Sequence, residues 1–397
     1  MTPWLHIVGI GAGGIESLGA EARDAVAEAE IILGSDRHHA LVESGAERLS
    51  WPSPFDALID TVAARRGTKT AVLVTGDPLW YSVGAMFARA FAREELAFHP
   101  QLAAFQLAAA RLGWPLTEVE MASVHGRPVE SILPRLAPDT HLLILAEDRG
   151  SPAAIAALLR RQGYGASRIV VLAEMETADE RRFEGIAATW DAEVPDFHTI
   201  AVECRADATP VVLPCTPGLP DTAFEHDGKM TKAEVRAVTL ARLMPLPGAL
   251  LWDIGAGCGS VGIEWMRAAD RATAIGLEPR ADRRAMAERN ARALGTPCLQ
   301  LIDGRAPDAL ADLPAPDAVF IGGGLSPAVV EACRAALKPH GRLVANAVTL
   351  ESERLLIDLH ARFGGMLTRL SVARAEPVGD LTGWRPMMPV TQWSLGP

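Results

Sequence analysis

Cysteine is scarce and poorly placed for cross-linking: the five residues Cys204, Cys215, Cys258, Cys298 and Cys333 are widely spaced and form no CxxC pair. An odd, dispersed set excludes a disulfide framework, offers no zinc-ligand spacing, and suits a reducing cytoplasm. No apolar run reaches the roughly 18 residues that a membrane span needs. The opening residues lack a basic stretch followed by a long apolar one, so neither a membrane partner nor a signal peptide is expected. Aromatic residues make up only 5% of the chain. With 35 glycines and abundant alanine, that favours close-packed α/β layers over a β-sandwich. Positive charge is also in deficit: 38 Lys and Arg against 49 Asp and Glu leave a net charge of −11. Nucleic acid and anionic membrane are thereby excluded as main partners, whereas an anionic small molecule in a local basic pocket is not.

What is present is length and alternation. At 397 residues the chain exceeds one ordinary domain, so two or three are expected. The clearest seam is 206–224, where Pro210, Pro214, Pro217 and Pro220 interrupt any helical or strand period. Proline lacks an amide donor and fixes φ, so this stretch reads as a linker between modules at 1–205 and 225–397. Before it, apolar runs at 5–8, 31–33, 71–74, 142–145 and 169–172 predict strands, and 16–30, 83–91, 104–112 and 152–161 predict helices. After it, strands are predicted at 250–254, 274–277, 299–302, 318–321 and 343–345, and helices at 261–267, 282–294, 328–337 and 351–363. This alternation implies an α/β fold of mainly parallel sheets covered by helices.

Two glycine loops carry the chemistry. In the second module an apolar strand runs into Asp253-Ile-Gly255-Ala-Gly257-Cys-Gly259 and then a helix. Glycine lets the backbone turn tightly and lets a ligand approach where a Cβ would block it. About twenty residues on, the next strand ends at Glu278, where a carboxylate can accept both hydroxyls of a ribose. This layout resembles class I S-adenosylmethionine (SAM) methyltransferases more than the GxGxxG of dinucleotide enzymes, whose pyrophosphate needs a helix N-terminus. In the first module Gly9, Gly11 and Gly14 do spell GxGxxG after a strand, with Asp36 where a dinucleotide ribose partner would stand. A second feature points elsewhere: Leu73-Val-Thr75-Gly76-Asp77-Pro78 is a strand ending in a tight turn. Together with the opening Ile7-Val-Gly-Ile-Gly-Ala-Gly-Gly14, it resembles the class III, tetrapyrrole-methylase type of SAM enzyme.

The combination resembles the precorrin-6Y C(5,15)-methyltransferase (decarboxylating) family of cobalamin biosynthesis over nearly the whole chain. The stretches that carry the likeness include Gly34-Ser-Asp-Arg37-His38, 104–115, Val124-His-Gly-Arg127, Gly228-Lys-Met-Thr-Lys232 and Leu381-Thr-Gly-Trp-Arg-Pro386. The resemblance implies a two-lobed tetrapyrrole-methylase fold, with lobes of about 1–102 and 103–205, ahead of a Rossmann-like class I fold. It implies two SAM sites per chain, a precorrin substrate methylated at two meso carbons with loss of an acetate carboxyl, and a homo-oligomer, a tetramer by family habit. It assigns carbon 15 and the decarboxylation to the second module and carbon 5 to the first.

Carried over by motif, the first SAM site comprises Ile10, Thr75, Gly76, Asp77, Trp80, Ala103, Ala104 and Ala146. The second comprises Thr231, Gly255, Gly257, Gly259, Glu278 and Ala306. Arg305 stands where related modules commonly carry an acid, which leaves an adenine contact there open. Carboxylate arms call for cationic clamps. The candidates are Arg37 and Arg127 in the first module and Lys229, Lys232 and Arg236 in the second, with a solvated surface charge as the alternative for each. His125 is a candidate proton acceptor. No metal site is expected. Two other readings stay open at this point: a bifunctional nicotinamide-dependent oxidoreductase, and a non-catalytic SAM or tetrapyrrole carrier.

Overall fold

The computed structural model describes residues 3–396. It divides into two compact units, Met1–Val129 with Ala137–Val211, and Glu130–Leu136 with Val212–Pro397. The first unit holds two five-stranded sheets. Strands β1 (Leu5–Ile10), β2 (Ile31–Leu33), β3 (Glu47–Leu49), β4 (Thr70–Thr75) and β5 (Leu96–His99) lie in the order β3-β2-β4-β1-β5, all parallel. Parallel strands need crossovers, and helices α1 (Ala20–Ala27), α2 (Asp36–Ala40), α3 (Leu58–Ala63) and α4 (Gly84–Ala90) supply them. The near-continuous apolar runs of β1 and β4 follow from burial on both faces.

The second sheet contains β6 (Val119–Ser123), β7 (His141–Leu145), β8 (Arg168–Ala173), β9 (Arg181–Ile186) and β10 (His198–Glu203), ordered β6-β7-β10-β8-β9. Helices α5 (Ala104–Leu112) and α6 (Ser151–Arg161) accompany it. This sheet is mixed, because β10 runs antiparallel to both β7 and β8, and β8 antiparallel to β9. No α-helix separates β8, β9 and β10, so direct antiparallel return is the geometry left to them.

In the second unit β11 (Leu250–Ile254), β12 (Thr273–Leu277), β13 (Gln300–Ile302), β14 (Ala318–Ile321) and β15 (Arg342–Ala347) are parallel. Helices α7 (Ala233–Leu243), α8 (Ser260–Ala268), α9 (Ala281–Ala293), α10 (Pro327–Ala336) and α11 (Leu350–Phe363) cover them. The sheet is completed by antiparallel β16 (Met366–Leu370) and β19 (Val390–Leu395), in the order β13-β12-β11-β14-β15-β19-β16. A separate hairpin, β17 (Ala373–Val378) and β18 (Leu381–Pro386), lies between them in sequence. Neighbours on β11 bury opposite ways: Leu251 joins one apolar cluster, Trp252 and Ile254 another. A strand covered on both faces cannot show polar alternation, which is why it read as a plain apolar run.

The α/β class stands in both units, with two departures in detail. The helix expected over 16–30 is a short 3-10 turn, Gly14–Ser17, followed by α1, because Leu18 and Gly19 are extended between them. The helix therefore starts six residues beyond the GxGxxG loop, and no long helix N-terminus faces a pyrophosphate there. The segment 206–224 is not a free tether throughout. Leu219 and Phe224 are buried, and the amides of Gly218 and Leu219 donate to Glu264 at 2.6 and 3.0 Å.

That anchor belongs to a buried ion network. Arg236, fully buried, donates through Nε to Glu264 Oε1 at 2.6 Å, and its other nitrogens reach Asp221 and the carbonyls of Thr231 and Leu219. Its guanidinium also lies 4.8 Å from the Phe224 ring centroid. Replacing Glu264 by leucine would leave the arginine charge buried without its main counter-ion, which costs about 3–5 kcal/mol. Urea unfolding should show that loss in the second unit's transition, with the Arg236→Met/Glu264→Leu double variant recovering part of it.

Asp253, on β11, is also fully buried, and its Oδ2 accepts from the Gly262 amide at 3.0 Å. Burial pushes its carboxyl up to about 7; the Gly262 amide opposes the shift and the Glu278 charge reinforces it. The folded state thus keeps a proton that the unfolded chain releases near pH 3.8. This contribution to stability is full below the unfolded value and is lost as pH rises toward about 7. Asp253→Asn should flatten that decline, so the urea midpoint of the variant should gain on the parent from about pH 4 to about pH 7.

Candidate active sites

In the second unit the ends of β11, β12 and β14 open into a cavity of about 910 Å³. Its floor is glycine. A Cβ on Gly255 would stand 2.8 Å from Gly323 Cα, so the loops after β11 and β14 touch backbone to backbone. A Cβ on Gly257 would meet nothing nearer than the Lys229 carbonyl at 3.9 Å, so it would project into open space. Both glycines have positive φ.

Thr231, Gly255, Gly257, Glu278 and Ala306 all line this cavity. Gly259 does not. A Cβ there would press on Ala287 and Ile263 at 3.1 and 3.3 Å, so this third glycine serves helix packing. Glu278 is nearly buried, and its two oxygens accept from Gly257 N at 3.0 Å and Arg280 N at 3.1 Å. Lone pairs remain on both oxygens for ribose hydroxyls. A buried carboxylate beside a glycine cradle with room at Gly257 fits the nucleoside and methionine portions of SAM.

The walls also carry five cations, Lys229, Lys232, Arg280, Arg283 and Arg305, against the two carboxylates Asp253 and Glu278. Arg280 pairs with Asp282 and Arg283 with Asp227. Lys229, Lys232 and Arg305 have no carboxylate partner among the described residues. The expectation that Arg236 clamps a substrate is corrected: it does not line the cavity, and its donors are consumed inside the protein. Arg280 and Arg283 were missed, although their place just after Glu278, where the next helix begins, was visible in the sequence.

In the first unit β1 and β4 end side by side, with Ile10 in register with Thr75. A Cβ on Gly9 would fall 2.0 Å from the Gly76 carbonyl oxygen, so only glycine allows this approach. Gly76, at φ +70°, faces Ala103 in turn, where a Cβ would come 3.0 Å from the Ala103 Cα. Asp77 Oδ1 accepts from Leu79 N at 2.7 Å, which ties the Gly-Asp-Pro turn. Trp80 rests on Phe105 of α5 at 5.4 Å between centroids, one residue beyond Ala104. Ala146 follows β7 in the other sheet.

His125 is exposed, with Nδ1 3.4 Å from Glu147. Arg127 lines a shallower hollow of about 620 Å³ beside Glu147 and Asp148, its guanidinium 5.8 Å from the Tyr81 ring centroid. Arg37 stacks on Phe197 at 3.4 Å, and burial lowers its pKa from the ordinary value. Sequence reasoning missed His38, which bonds Thr75 Oγ1 at 3.0 Å.

A family model of tetrapyrrole (corrin/porphyrin) methylases matches residues 4–190, and one of precorrin methyltransferase domains matches 222–396. The precorrin-6Y C(5,15)-methyltransferase [decarboxylating] of a Sinorhizobium species is 46% identical, over 99% of this chain and 96% of its own length. The protein of the same name from Mycobacterium tuberculosis is 37% identical over 98% of each. The crystal structure of the C-terminal domain of the Rhodobacter capsulatus precorrin-6Y C5,15-methyltransferase is 51% identical, covering 47% of this chain and all of that domain, with a TM-score of 0.44. Near-full-length identity with relatives of one name shows that the chain belongs to the precorrin-6Y C(5,15)-methyltransferase (decarboxylating) family.

Proposed function

We propose that this enzyme methylates a precorrin at carbons 5 and 15 and decarboxylates it, with the work divided between its modules. The second module, about 225–397, acts at carbon 15 and removes the carboxyl; the first, about 1–205, acts at carbon 5. Separate relatives support the division. A probable cobalt-precorrin-6B C(15)-methyltransferase (decarboxylating) from Pyrobaculum calidifontis matches 44% of the chain at 37% identity, and a cobalt-precorrin-7 C(5)-methyltransferase from Salmonella typhimurium matches 45% at 30%. The two glycine loops support two SAM sites per chain.

The observation that carries the second module's role is the cavity with Glu278 at one side and unpaired Lys229, Lys232 and Arg305 around it. Bound SAM supplies a methyl on a sulfonium, already a good leaving group, so the protein's task is position and dryness rather than activation. Glu278 holds the ribose, and Gly257 leaves room beside it. Lys229, Lys232 and Arg305 take carboxylate arms of the macrocycle, and Arg127 does so in the first module. Val372, Met387, Met388 and Val390 form an apolar stretch of the cavity wall. An acetate arm lying against that stretch, away from the cations, loses the hydration that stabilises its charge. Its carbon–carbon bond can then break, the electron pair entering the conjugated ring as carbon dioxide leaves and the arm carbon taking up a proton.

We further propose a homo-oligomer, a tetramer as the resemblance implies, in the cytoplasm. Val378, Leu381 and Trp384 are 65–77% exposed on the β17–β18 hairpin, which supports burial against another copy. Light scattering should give a mass above one chain; a concentration-independent monomer would end this reading.

The test of the whole assignment uses the full chain. Titration with S-adenosylhomocysteine should give a stoichiometry near two. Glu278→Leu should cost about 1–3 kcal/mol of binding at one site only. Mass spectrometry of its products should show the carbon 15 methyl and carbon dioxide release lost together. Loss of the carbon 5 methyl instead would overturn the division.

A further inference from the structure

The hydrogen-bond network around His38 settles which of its nitrogens carries the proton. Ser35 caps α2, accepting from His38 N at 3.4 Å. The Ser35 backbone amide in turn points at His38 Nδ1, at 3.3 Å, and Ser35 Oγ lies 3.0 Å from the same nitrogen. An amide N–H can only donate, so Nδ1 is the acceptor and the proton sits on Nε2. Nε2 lies 3.0 Å from Thr75 Oγ1 and therefore donates to it. His38 is almost wholly buried, and burial, Arg37 and His39 hold its pKa down at about 4, so the ring stays neutral.

The consequence falls on Thr75. Its hydroxyl has one hydrogen and two lone pairs, and one lone pair is taken by His38. The hydrogen is left to donate elsewhere, from an exposed side chain at the end of β4, beside Gly76 and Asp77. Gly34 makes this arrangement possible: a Cβ there would stand 3.1 Å from His38 Cβ and 3.5 Å from Leu73 Cβ. The stretch Gly34-Ser-Asp-Arg37-His38 is thereby explained as a unit, with glycine for room, serine to set the tautomer and histidine to reach the neighbouring strand.

We infer that His38 is a positioning residue, which fixes the Thr75 hydroxyl as a hydrogen-bond donor to an acceptor group of the cofactor in the first module. This rests on the reading that the first SAM site lies at the Thr75-Gly76-Asp77 loop. The role is specific in its polarity. A side chain that only filled the space would leave the Thr75 hydrogen free to turn back into the protein.

The experiment is a double-mutant cycle in the full chain carrying Glu278→Leu, which leaves one tight site, read by calorimetric titration with S-adenosylhomocysteine. Thr75→Val and His38→Leu should each weaken binding about tenfold. The pair should be no weaker than Thr75→Val alone. His38→Gln, whose amide can accept from Ser35 and donate to Thr75, should restore most of the affinity, which loss of packing would not allow. Losses that add in the double variant, or a glutamine variant no better than leucine, would overturn the positioning role. If Thr75→Val leaves binding unchanged, the location of the first site is itself wrong, and the inference falls with it. Titration of the same His38 variants with Glu278 intact should show the second site undisturbed, which separates a local effect from misfolding.

Discussion

Both sites depend on one steric constraint: the backbones of two neighbouring strand ends must touch. Gly9 meets the Gly76 carbonyl in the first unit, and Gly255 meets Gly323 in the second, each at a distance that excludes any Cβ. Parallel sheets concentrate loops at the carboxyl ends of their strands, and closing two such loops together creates a crevice with amide groups on its floor. In the first unit that closure sets Thr75 beside Ile10 and brings Gly76 against the start of α5. In the second it leaves Gly257 open to the cavity and puts the Gly257 amide on Glu278. The sheets differ in order and the glycines differ in spacing, yet the same physical requirement produces both.

Charge is arranged against the chain's overall sign. A net charge of −11 coexists with a cavity wall of five cations and two carboxylates, one of which, Asp253, burial pushes toward neutrality. Several arginines elsewhere are held by carboxylates, as in Arg111 with Glu180 and Arg149 with Asp196. The unpaired cations of the cavity are free to meet an anion without first breaking an internal pair.

The sequence made the glycine loops, the acid at the end of β12 and the alternation of strands and helices legible because each is a local requirement of backbone or pattern. It did not reveal β10, β16 and β19, whose antiparallel pairings depend on partners distant in the chain, nor β9, β17 and β18, which are largely exposed and carry no apolar run. Arg236 shows the same limit in a side chain. A basic residue near a predicted cavity looks like a clamp until folding reveals Glu264 and Asp221 beside it. Gly257 and Gly259 look equivalent in the motif, and only packing against α9 separates the ligand-facing glycine from the structural one. His38 was visible as part of a motif, but its purpose required the register that sets α2 against the end of β4.

Glu278 joins two properties that could otherwise vary separately. The same carboxylate accepts from the Gly257 and Arg280 amides and, in the proposed function, offers its remaining lone pairs to the ribose. Order in the glycine loop and affinity for the nucleoside thus form a single trait under selection. A shorter acid at this position would lose loop and ligand together, so drift to aspartate has no neutral intermediate unless β12 or the loop moves first. Descendants of this module can change their substrate through the distant cavity wall while position 278 stays fixed, which makes that wall the evolvable half of the site.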